Sequence, residues 1–203
     1  MKLHLGCGTK KMAGWVNIDS VKSVGPDVVH DLTKPFHYAD LTVDEVLAED
    51  LLEHFDKYMR FIVFYEWVRV LKINGIITLQ VPNFKKLLWR YFKLGYTNFV
   101  DMVFGENMWN SKMYIGHFGN HKWGYSVESL QEFVRIFGIE PMTVETVGLN
   151  IRLVGKKMNH VTWDILDNVE VYAHANAFGG LPRLRLKDIR VKIQEYQDNL
   201  GQI

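Results

Sequence analysis

A short apolar strand that runs directly into a glycine pair is the feature that most constrains the fold of this chain. The first residues read MKLHLGCGTKKMAGWVNID: residues 2–5 predict a strand that stops at Gly6, and a second apolar run, residues 15–18, is followed by Asp19. Glycines at the carboxyl edge of a parallel sheet let a ligand approach the backbone. An acidic residue at the end of the next strand can accept hydrogen bonds from ribose hydroxyls. Gly6, Gly8 and Asp19 therefore indicate a nucleotide-type site.

Short apolar runs then alternate with a helical pattern. A helix is predicted over residues 56–70, where apolar residues recur at spacings of three and four, with Asn74-Gly75 as its carboxyl-terminal stop. Further strands are predicted over residues 27–29, 43–48 and 76–81. The last run is apolar throughout, as in a parallel strand buried on both faces. The chain is thus predicted to form an α/β domain, with a mostly parallel central sheet and helices on both faces.

Later segments complete this domain and extend it. A helix is predicted over residues 126–137 with Ser126 as its N-cap, and two strands follow at residues 141–147 and 150–154, joined by a turn at Gly148. Lys156-Lys157 marks the expected end of the regular domain, residues 1–157.

Two other segments are less regular. Residues 84–122 are rich in aromatic residues and interrupted by glycine and asparagine, and they are predicted to form an insertion or lid on the acceptor side of the site. Residues 158–203 are predicted to form a helical extension, with a helix over residues 162–178 and then an apolar stripe at heptad spacing. That stripe predicts packing on the same domain or a homodimer through the C-terminal helix.

Composition excludes several classes of protein. The 24 basic and 23 acidic residues give a net charge of +1, so no global field favours nucleic acid or a membrane. A single cysteine excludes an internal disulfide framework. No apolar run approaches the ~18 residues of a transmembrane span. A reducing, cytoplasmic location is the resulting expectation.

The spacing after the glycine pair separates two classes of nucleotide. The dinucleotide fingerprint G-x-G-x-x-G requires a third glycine where this chain has Lys11. The interval from Gly8 to Asp19 is also short for a loop, a full helix and a strand, which disfavours a pyrophosphate at a helix N-terminus. A ligand with ribose and adenine but no phosphate fits this spacing better.

Five segments, in family order, resemble the class I S-adenosylmethionine-dependent methyltransferases, especially a compact, type 11-like branch. They are LHLGCGTKKMAGWVNID, DVVHDLTKPF, VDEVLAEDLLEHF, RVLKINGIITLQVPN and HKWGYSVESLQEFVRIFGIE, and they cover roughly residues 1–155. The resemblance implies a Rossmann-like class I methyltransferase fold. It also implies S-adenosyl-L-methionine as methyl donor, S-adenosyl-L-homocysteine as product, and transfer to an oxygen or nitrogen atom by in-line displacement.

The resemblance also implies roles for individual residues. The first loop (Gly6, Cys7 and Gly8) would face the methionine part of the cofactor, and Asp19 would bind the ribose diol. Asp31 matches the acidic position that takes the adenine amino group, and Leu32 would offer its backbone and packing. Glu49 would lie near the methionine end or the acceptor, where the family often has Asn, Ser or His. Asp19 and Asp31 also fit ordinary roles as helix or turn caps.

On the acceptor side, the candidate catalytic residues are His117, His121 and Glu49. Two histidines four residues apart could bind a metal from one face of a helix, but Gly116 and Gly119 argue against a helix, and no metal site is expected. A loop over the cleft is predicted instead, in which a histidine acts as general base above Glu49.

Several alternatives stay open at this point. The histidine of Glu53-His54 fits a packing role or a catalytic one. The acceptor is expected to be a small molecule or a sugar of a glycan. RNA is possible but not favoured, because the basic groups at residues 85–93 and 183–192 read as solvated helix faces. A protein methyltransferase, a nicotinamide-dependent oxidoreductase, and a non-catalytic module that binds a partner through its tail are the rival functions.

Overall fold

A seven-stranded sheet organises the protein. The computed structural model describes residues 1–94, 120–162, 167, 170–171, 184–185 and 191. The strands are β1 (Lys2–Leu5), β2 (Val16–Asp19), β3 (Val28–Val29), β4 (Val43–Glu49), β5 (Leu71–Pro82), β6 (Ile139–Val147) and β7 (Asn150–Lys157), in the order β3-β2-β1-β4-β5-β7-β6. Strand β7 runs antiparallel to both of its neighbours, and the other pairings are parallel. The predicted α/β class and mostly parallel sheet are confirmed.

Three α-helices accompany the sheet in the described part of the chain: α1 (Met59–Val70), α2 (Phe84–Leu94) and α3 (Val127–Ile136). Before α1, the described chain holds only 3-10 turns, at Lys22–Val24 and Leu52–His54, and no α-helix. The connections between the first four strands are therefore unusually short. They bring the carboxyl ends of β1, β2 and β3 together through loops and a single 3-10 turn, without an α-helix in the described chain.

The end of α1 differs from the sequence-based expectation. Asn74-Gly75 was predicted to stop this helix, but α1 ends at Val70, and both residues lie inside β5, where Asn74 has a φ of +66°. The final carbonyls of α1 do not need a glycine, because Arg69 and Val70 accept hydrogen bonds from the N–H groups of the chain before β4. Asn74 and Gly75 instead fall between the two parts of β5 that pair with β4, where the register shifts.

An aromatic cluster joins α1 to α3. The ring of Phe64 on α1 lies 5.0 Å from the rings of both Phe133 on α3 and Phe137, measured between centroids. Phe61 contacts Phe133 at 5.2 Å, and Trp67 is completely buried beside them. These contacts fix the two helices to each other.

The late helix and hairpin agree with the prediction. Ser126 caps α3: its hydroxyl accepts a hydrogen bond from the N–H of Ser129, whose own hydroxyl accepts one from the N–H of Ser126, which forms a capping box. Strands β6 and β7 pair on either side of Gly148, whose φ is +60°. Pro141 lies in β6, an edge strand, where a missing N–H donor is tolerated.

The C-terminal segment departs from the predicted helix. Glu170–Val171 forms a strand, β8, that pairs antiparallel with β9, Leu184–Arg185. The helix expected over residues 162–178 is therefore wrong at Glu170–Val171, because a short apolar pattern does not separate helix from strand. The heptad stripe falls outside the described residues. In the described part of the chain, no helix is long and apolar enough to cross a bilayer.

Candidate active site

The order of the strands places a cleft at one edge of the sheet. The chain passes from β1 to β2 on one side, while β4 lies on the other side of β1. In open α/β sheets, ligands bind outside the carboxyl ends of the strands at such a reversal. A cleft of about 250 Å³ occupies this position and is lined by residues that follow four strands, together with one later residue: Gly6, Gly8, Asp19, Ser20, Val21, Val24, Asp31, Leu32, Thr33, Asp50, Leu51, His54, Phe55 and Lys122.

The loop after β1 requires glycine for two reasons. Gly6 has a φ of +61° and Gly8 a φ of +50°, in the left-handed region that other residues rarely adopt. A Cβ atom on Gly6 would also lie 2.7 Å from Cδ1 of Leu51, a clash with a residue that lines the cleft. A Cβ on Gly8 would meet nothing within 4 Å. The backbone at Gly8 is thus open to a bound molecule.

Asp19 joins the first two loops of the site. Its Oδ2 accepts a hydrogen bond of 2.8 Å from the N–H of Gly8, and its Oδ1 accepts one of 2.8 Å from the N–H of Val21. A carboxylate offers about four lone-pair sites, so two backbone donors leave capacity for two more. Asp19 therefore has an observed capping role and retains the acceptor capacity that binding a diol requires.

Asp31 and Leu32 form the part of the cleft that follows β3. Oδ1 of Asp31 accepts hydrogen bonds from both the N–H and the hydroxyl of Thr33, at 2.9 and 2.7 Å, which shapes a tight Asx turn. Leu32 is buried beneath this turn and supplies an apolar wall. A planar, partly apolar ring system fits such a combination of apolar surface and acceptor.

Cys7 is placed in the loop but does not line the cleft. Its side chain is buried, its thiol donates to the carbonyl of Gly8, and burial raises the pKa of the thiol above its usual value. A thiol with a raised pKa is a poor nucleophile. Its backbone N–H donates to the carbonyl of Ile18, which ties the loop to β2.

Glu49 is also absent from the residues that line this cleft, and its side chain is held elsewhere. Strand β4 continues to Glu49, which pairs with Gln80 of β5, and Gln80 pairs in turn with Arg152 of β7. The three residues form one row across the sheet. Nη1 of Arg152 donates to Oε1 of Glu49 over a distance of 2.7 Å. The residue that lines the cleft at this point is Asp50, the first one after β4.

A 3-10 turn after β4 carries Glu53 and His54 to the opposite wall of the cleft. The backbone carbonyl of Glu53 accepts hydrogen bonds from the N–H groups of Lys122 (2.7 Å) and Trp123 (3.1 Å). These contacts bring His121 onto the turn, with its ring 5.0 Å from the ring of His54. His54 and Lys122 line the cleft, whereas His121 contacts the ring of His54 without lining the cleft itself. His117 lies outside the described residues.

Burial perturbs several titratable groups here. Burial raises the pKa of Glu53 to about 8, and it lowers the pKa of His54, as does the neighbouring His121. Tyr125, which follows this segment, is completely buried, and burial raises the pKa of its hydroxyl to about 12. Tyr125 belongs to the core and forms an isolated parallel bridge with Asn83. Perturbed groups that adjoin a cleft are typical of functional sites.

Sequence reasoning missed part of the cleft. Val21 and Val24 line it because a 3-10 turn follows β2, and a three-residue turn leaves no periodic signal. Lys122 lines it because its backbone is bound to Glu53, almost seventy residues earlier in the chain. The strand-end rule could have found Asp50, once β4 is extended to Glu49.

No family model and no curated protein sequence matches this chain. Solved structures do match its fold. An S-adenosylmethionine-dependent methyltransferase from Methanosarcina mazei superposes with a TM-score of 0.55 at 15% identity, over 77% of this chain and 92% of its own. One from Clostridium acetobutylicum has a TM-score of 0.53 at 14% identity, over 78% and 84%. The chain has the fold of the class I methyltransferases.

A further structural neighbour was solved with small molecules bound. It is the 1,6-didemethyltoxoflavin-N1-methyltransferase of Burkholderia thailandensis, with bound 1,6-didemethyltoxoflavin and S-adenosylhomocysteine. Its TM-score is 0.53 at 14% identity, over 78% of this chain and 71% of its own. Identities this low establish the shared fold alone.

Proposed function

We propose that this protein is an S-adenosylmethionine-dependent methyltransferase that acts on an oxygen or nitrogen atom of a small molecule or a sugar. The observation that carries the proposal is the cleft at the strand reversal. There an open glycine loop, a carboxylate at the end of β2 and an Asx turn after β3 line one continuous space. The class I fold supports the same function.

Each wall of the cleft suits one part of the cofactor. The open backbone at Gly8 accommodates the amino-acid end, because nothing lies within 4 Å of the position that a Cβ would take there. Asp19 accepts hydrogen bonds from the two ribose hydroxyls. Asp31 accepts one from the exocyclic amino group of adenine, whose ring packs on Leu32. The absence of a diphosphate from this ligand agrees with the lack of a helix N-terminus behind the glycine loop in the described chain.

The chemistry places few demands on the protein. When bound, S-adenosylmethionine supplies a methyl group on a sulfonium centre that is already a good leaving group. The protein has to hold the acceptor in line and exclude water, effects worth about 7–11 kcal/mol in well-oriented reactions. His54, Lys122 and Asp50 lie on the wall of the cleft where an acceptor would enter. We also propose His121 and His117 as candidates for the general base that takes the proton of the acceptor.

Two observations favour a small acceptor: the nearly neutral charge of the chain and the small molecule bound by a structural neighbour. The net charge is only +1, and we assign the basic residues of α2 to a solvated helix face, so bulk RNA is not the favoured acceptor. The Burkholderia thailandensis neighbour shows that this fold can hold a small acceptor beside the product of the methyl donor.

Calorimetric titration with S-adenosylhomocysteine tests the proposal. The wild-type protein is expected to bind it with micromolar affinity. Asp19→Ala is expected to weaken binding tenfold or more (about 1.4 kcal/mol), because both ribose contacts are lost. Glu45→Ala is the matched control: Glu45 is a half-buried residue on β4 that pairs with Lys2 away from the cleft, and the variant should bind as wild type does. A folded wild-type protein that does not bind the ligand contradicts the proposal.

A further inference from the structure

Three side chains of the metal-ligand type converge behind the wall of the cleft. Glu53, His54 and His121 each place one potential ligand atom within 4.8 Å of the others. Oε1 of Glu53 lies 3.9 Å from Nε2 of His121. That separation is too long for a hydrogen bond between them. An ion bound to both atoms by bonds of about 2 Å at a tetrahedral angle would draw them to about 3.3 Å from each other, which is a shift of about 0.6 Å.

The carboxyl group of Glu53 is buried, and the described residues offer it no hydrogen bond. The side chain is 1% exposed, and neither of its oxygens has a hydrogen-bond partner. A buried carboxyl group without hydrogen-bond partners is costly in either protonation state, and native structures rarely contain one. Because the carbonyl of Glu53 is bound by Lys122 and Trp123, the turn that carries this side chain is fixed in place. A cation beside the carboxylate would supply the missing interaction.

The orientation of His54 points to the same conclusion. Its Nδ1 lies 3.1 Å from the backbone carbonyl of Asn120. A carbonyl oxygen only accepts hydrogen bonds, so Nδ1 carries a proton, and in the neutral ring Nε2 keeps its lone pair. Histidines that bind metals almost always donate their other ring N–H to a carbonyl or a carboxylate in this way. The contact with Asn120 is therefore the kind of second-ring-nitrogen contact that a metal-binding histidine makes.

We propose that Glu53, His54 and His121 bind one divalent transition-metal ion next to the cleft. Two imidazoles and one carboxylate suit Zn²⁺, Co²⁺ or Fe²⁺, whereas Mg²⁺ prefers oxygen ligands. The proposal departs from the sequence-based expectation of no metal. That expectation considered only the spacing of His117 and His121. The structure instead combines His121 with two ligands from a distant segment, and no local spacing reveals that combination.

Three protein ligands leave coordination positions for a further ligand. Of the three ligands, His54 lines the cleft, and an open coordination position on that side would face an acceptor hydroxyl. This consequence rests on the proposed function. A metal-bound hydroxyl loses its proton more easily. The proton passes to solvent, the alkoxide oxygen forms the new bond to the methyl carbon, and the C–S bond breaks to leave a neutral thioether. The site thus favours an oxygen acceptor over a nitrogen one.

Titration of the chelator-treated full chain with Co²⁺ tests the metal site, because Co²⁺ gains visible absorption when imidazole and carboxylate bind it. One equivalent is expected to bind, and Zn²⁺ is expected to displace it while Mg²⁺ does not. Glu53→Gln and His121→Ala are each expected to weaken binding by more than about tenfold. His160→Ala is the matched control: it removes a more exposed imidazole that also lies near a carboxylate, 3.5 Å from Asp40, and should leave binding unchanged.

Binding of S-adenosylhomocysteine is measured on the same samples, and melting curves without metal show which variants are folded. No stoichiometric uptake of Co²⁺ by the wild-type protein overturns the metal site. Equal uptake by the folded His121→Ala variant, whose side chain is closer to the surface than Glu53, does so as well. Failure to bind S-adenosylhomocysteine while Co²⁺ binds in a Glu53-dependent manner contradicts the proposed function and leaves the metal site standing.

Discussion

The buried Lys157 gives the sharpest test of how the domain is held together. Its side chain is completely buried at the end of β7, and its Nζ donates to the carbonyls of Val68 (2.6 Å) and Leu71 (2.8 Å). These carbonyls lie at the end of α1, where helices leave acceptors without partners. Lys157 therefore caps α1 from a neighbouring element of the fold.

Replacing this residue, Lys157→Met, keeps most of the volume but removes both donors. Two buried carbonyls then lose their partners, at about 1–3 kcal/mol each, while the cost of burying an ammonium group disappears. We expect a net loss of about 1–3 kcal/mol in the free energy of unfolding at pH 7. For a chain of this size, that loss lowers the melting temperature by roughly 2–10 °C. Lys156→Met, on the same strand, is the matched control and should change stability by less than about 0.5 kcal/mol.

The difference in the free energy of unfolding between wild type and Lys157→Met should grow as the pH rises. Burial lowers the pKa of Lys157 from 10.5 to about 8, while the nearby Asp40 raises it and Arg69 lowers it further. Between pH 8 and 10.5 the folded chain binds fewer protons than the unfolded chain, so the contribution of Lys157 to stability rises with pH. A neutral amine still has two N–H donors for the two carbonyls. The gap between wild type and Lys157→Met should therefore widen by about 2 kcal/mol from pH 7 to pH 9.5.

Urea denaturation at both pH values measures this gap. Equal stability of the Lys157→Met and Lys156→Met variants at pH 7 would refute the capping role. If the stability difference between wild type and Lys157→Met became smaller as the pH rises, the inference that burial lowers the pKa of Lys157 would be wrong.

Two further substitutions test the core and the site. Phe133→Ala removes a ring that packs 5.0–5.4 Å from three other rings, and it should cost about 3–5 kcal/mol in urea denaturation; a cost below about 1 kcal/mol would show that the cluster is not tightly packed. Glu49→Gln should leave the affinity for S-adenosylhomocysteine within about twofold of wild type, because Glu49 pairs with Arg152 and does not line the cleft. A loss of tenfold or more would return Glu49 to the cofactor site.

Much of the fold could be predicted from local patterns. Strand ends marked by Gly6 and Asp19 and the N-cap at Ser126 each carry their signal within a few residues. The hairpin around Gly148 was predictable for the same reason, since a glycine with positive φ joins two β-rich runs.

Contacts between distant segments could not be predicted from the sequence. Lys156-Lys157 reads as the exposed end of a domain, yet Lys157 is buried, because α1 offers it two carbonyls. Asn74-Gly75 reads as a helix stop, yet the helix ends earlier, where the chain before β4 caps it. Local patterns record preferences, and tertiary partners override them.

The same limit applies to the candidate site. Gly6, Gly8, Asp19 and Asp31 follow strands whose order brings their ends together, so the strand-end rule was sufficient to place them in one cleft. The convergence of His121 with Glu53 and His54 depends on backbone hydrogen bonds to Glu53, which no pattern in the sequence reveals.

A crystal structure of the protein with S-adenosylhomocysteine tests the central claim most directly. The claim requires the ribose hydroxyls within hydrogen-bond distance of Asp19, the adenine between Asp31 and Leu32, and the amino-acid end along the backbone of Gly6 and Gly8. Density for the ligand anywhere else, or a cleft that stays empty at saturating concentration, would contradict it.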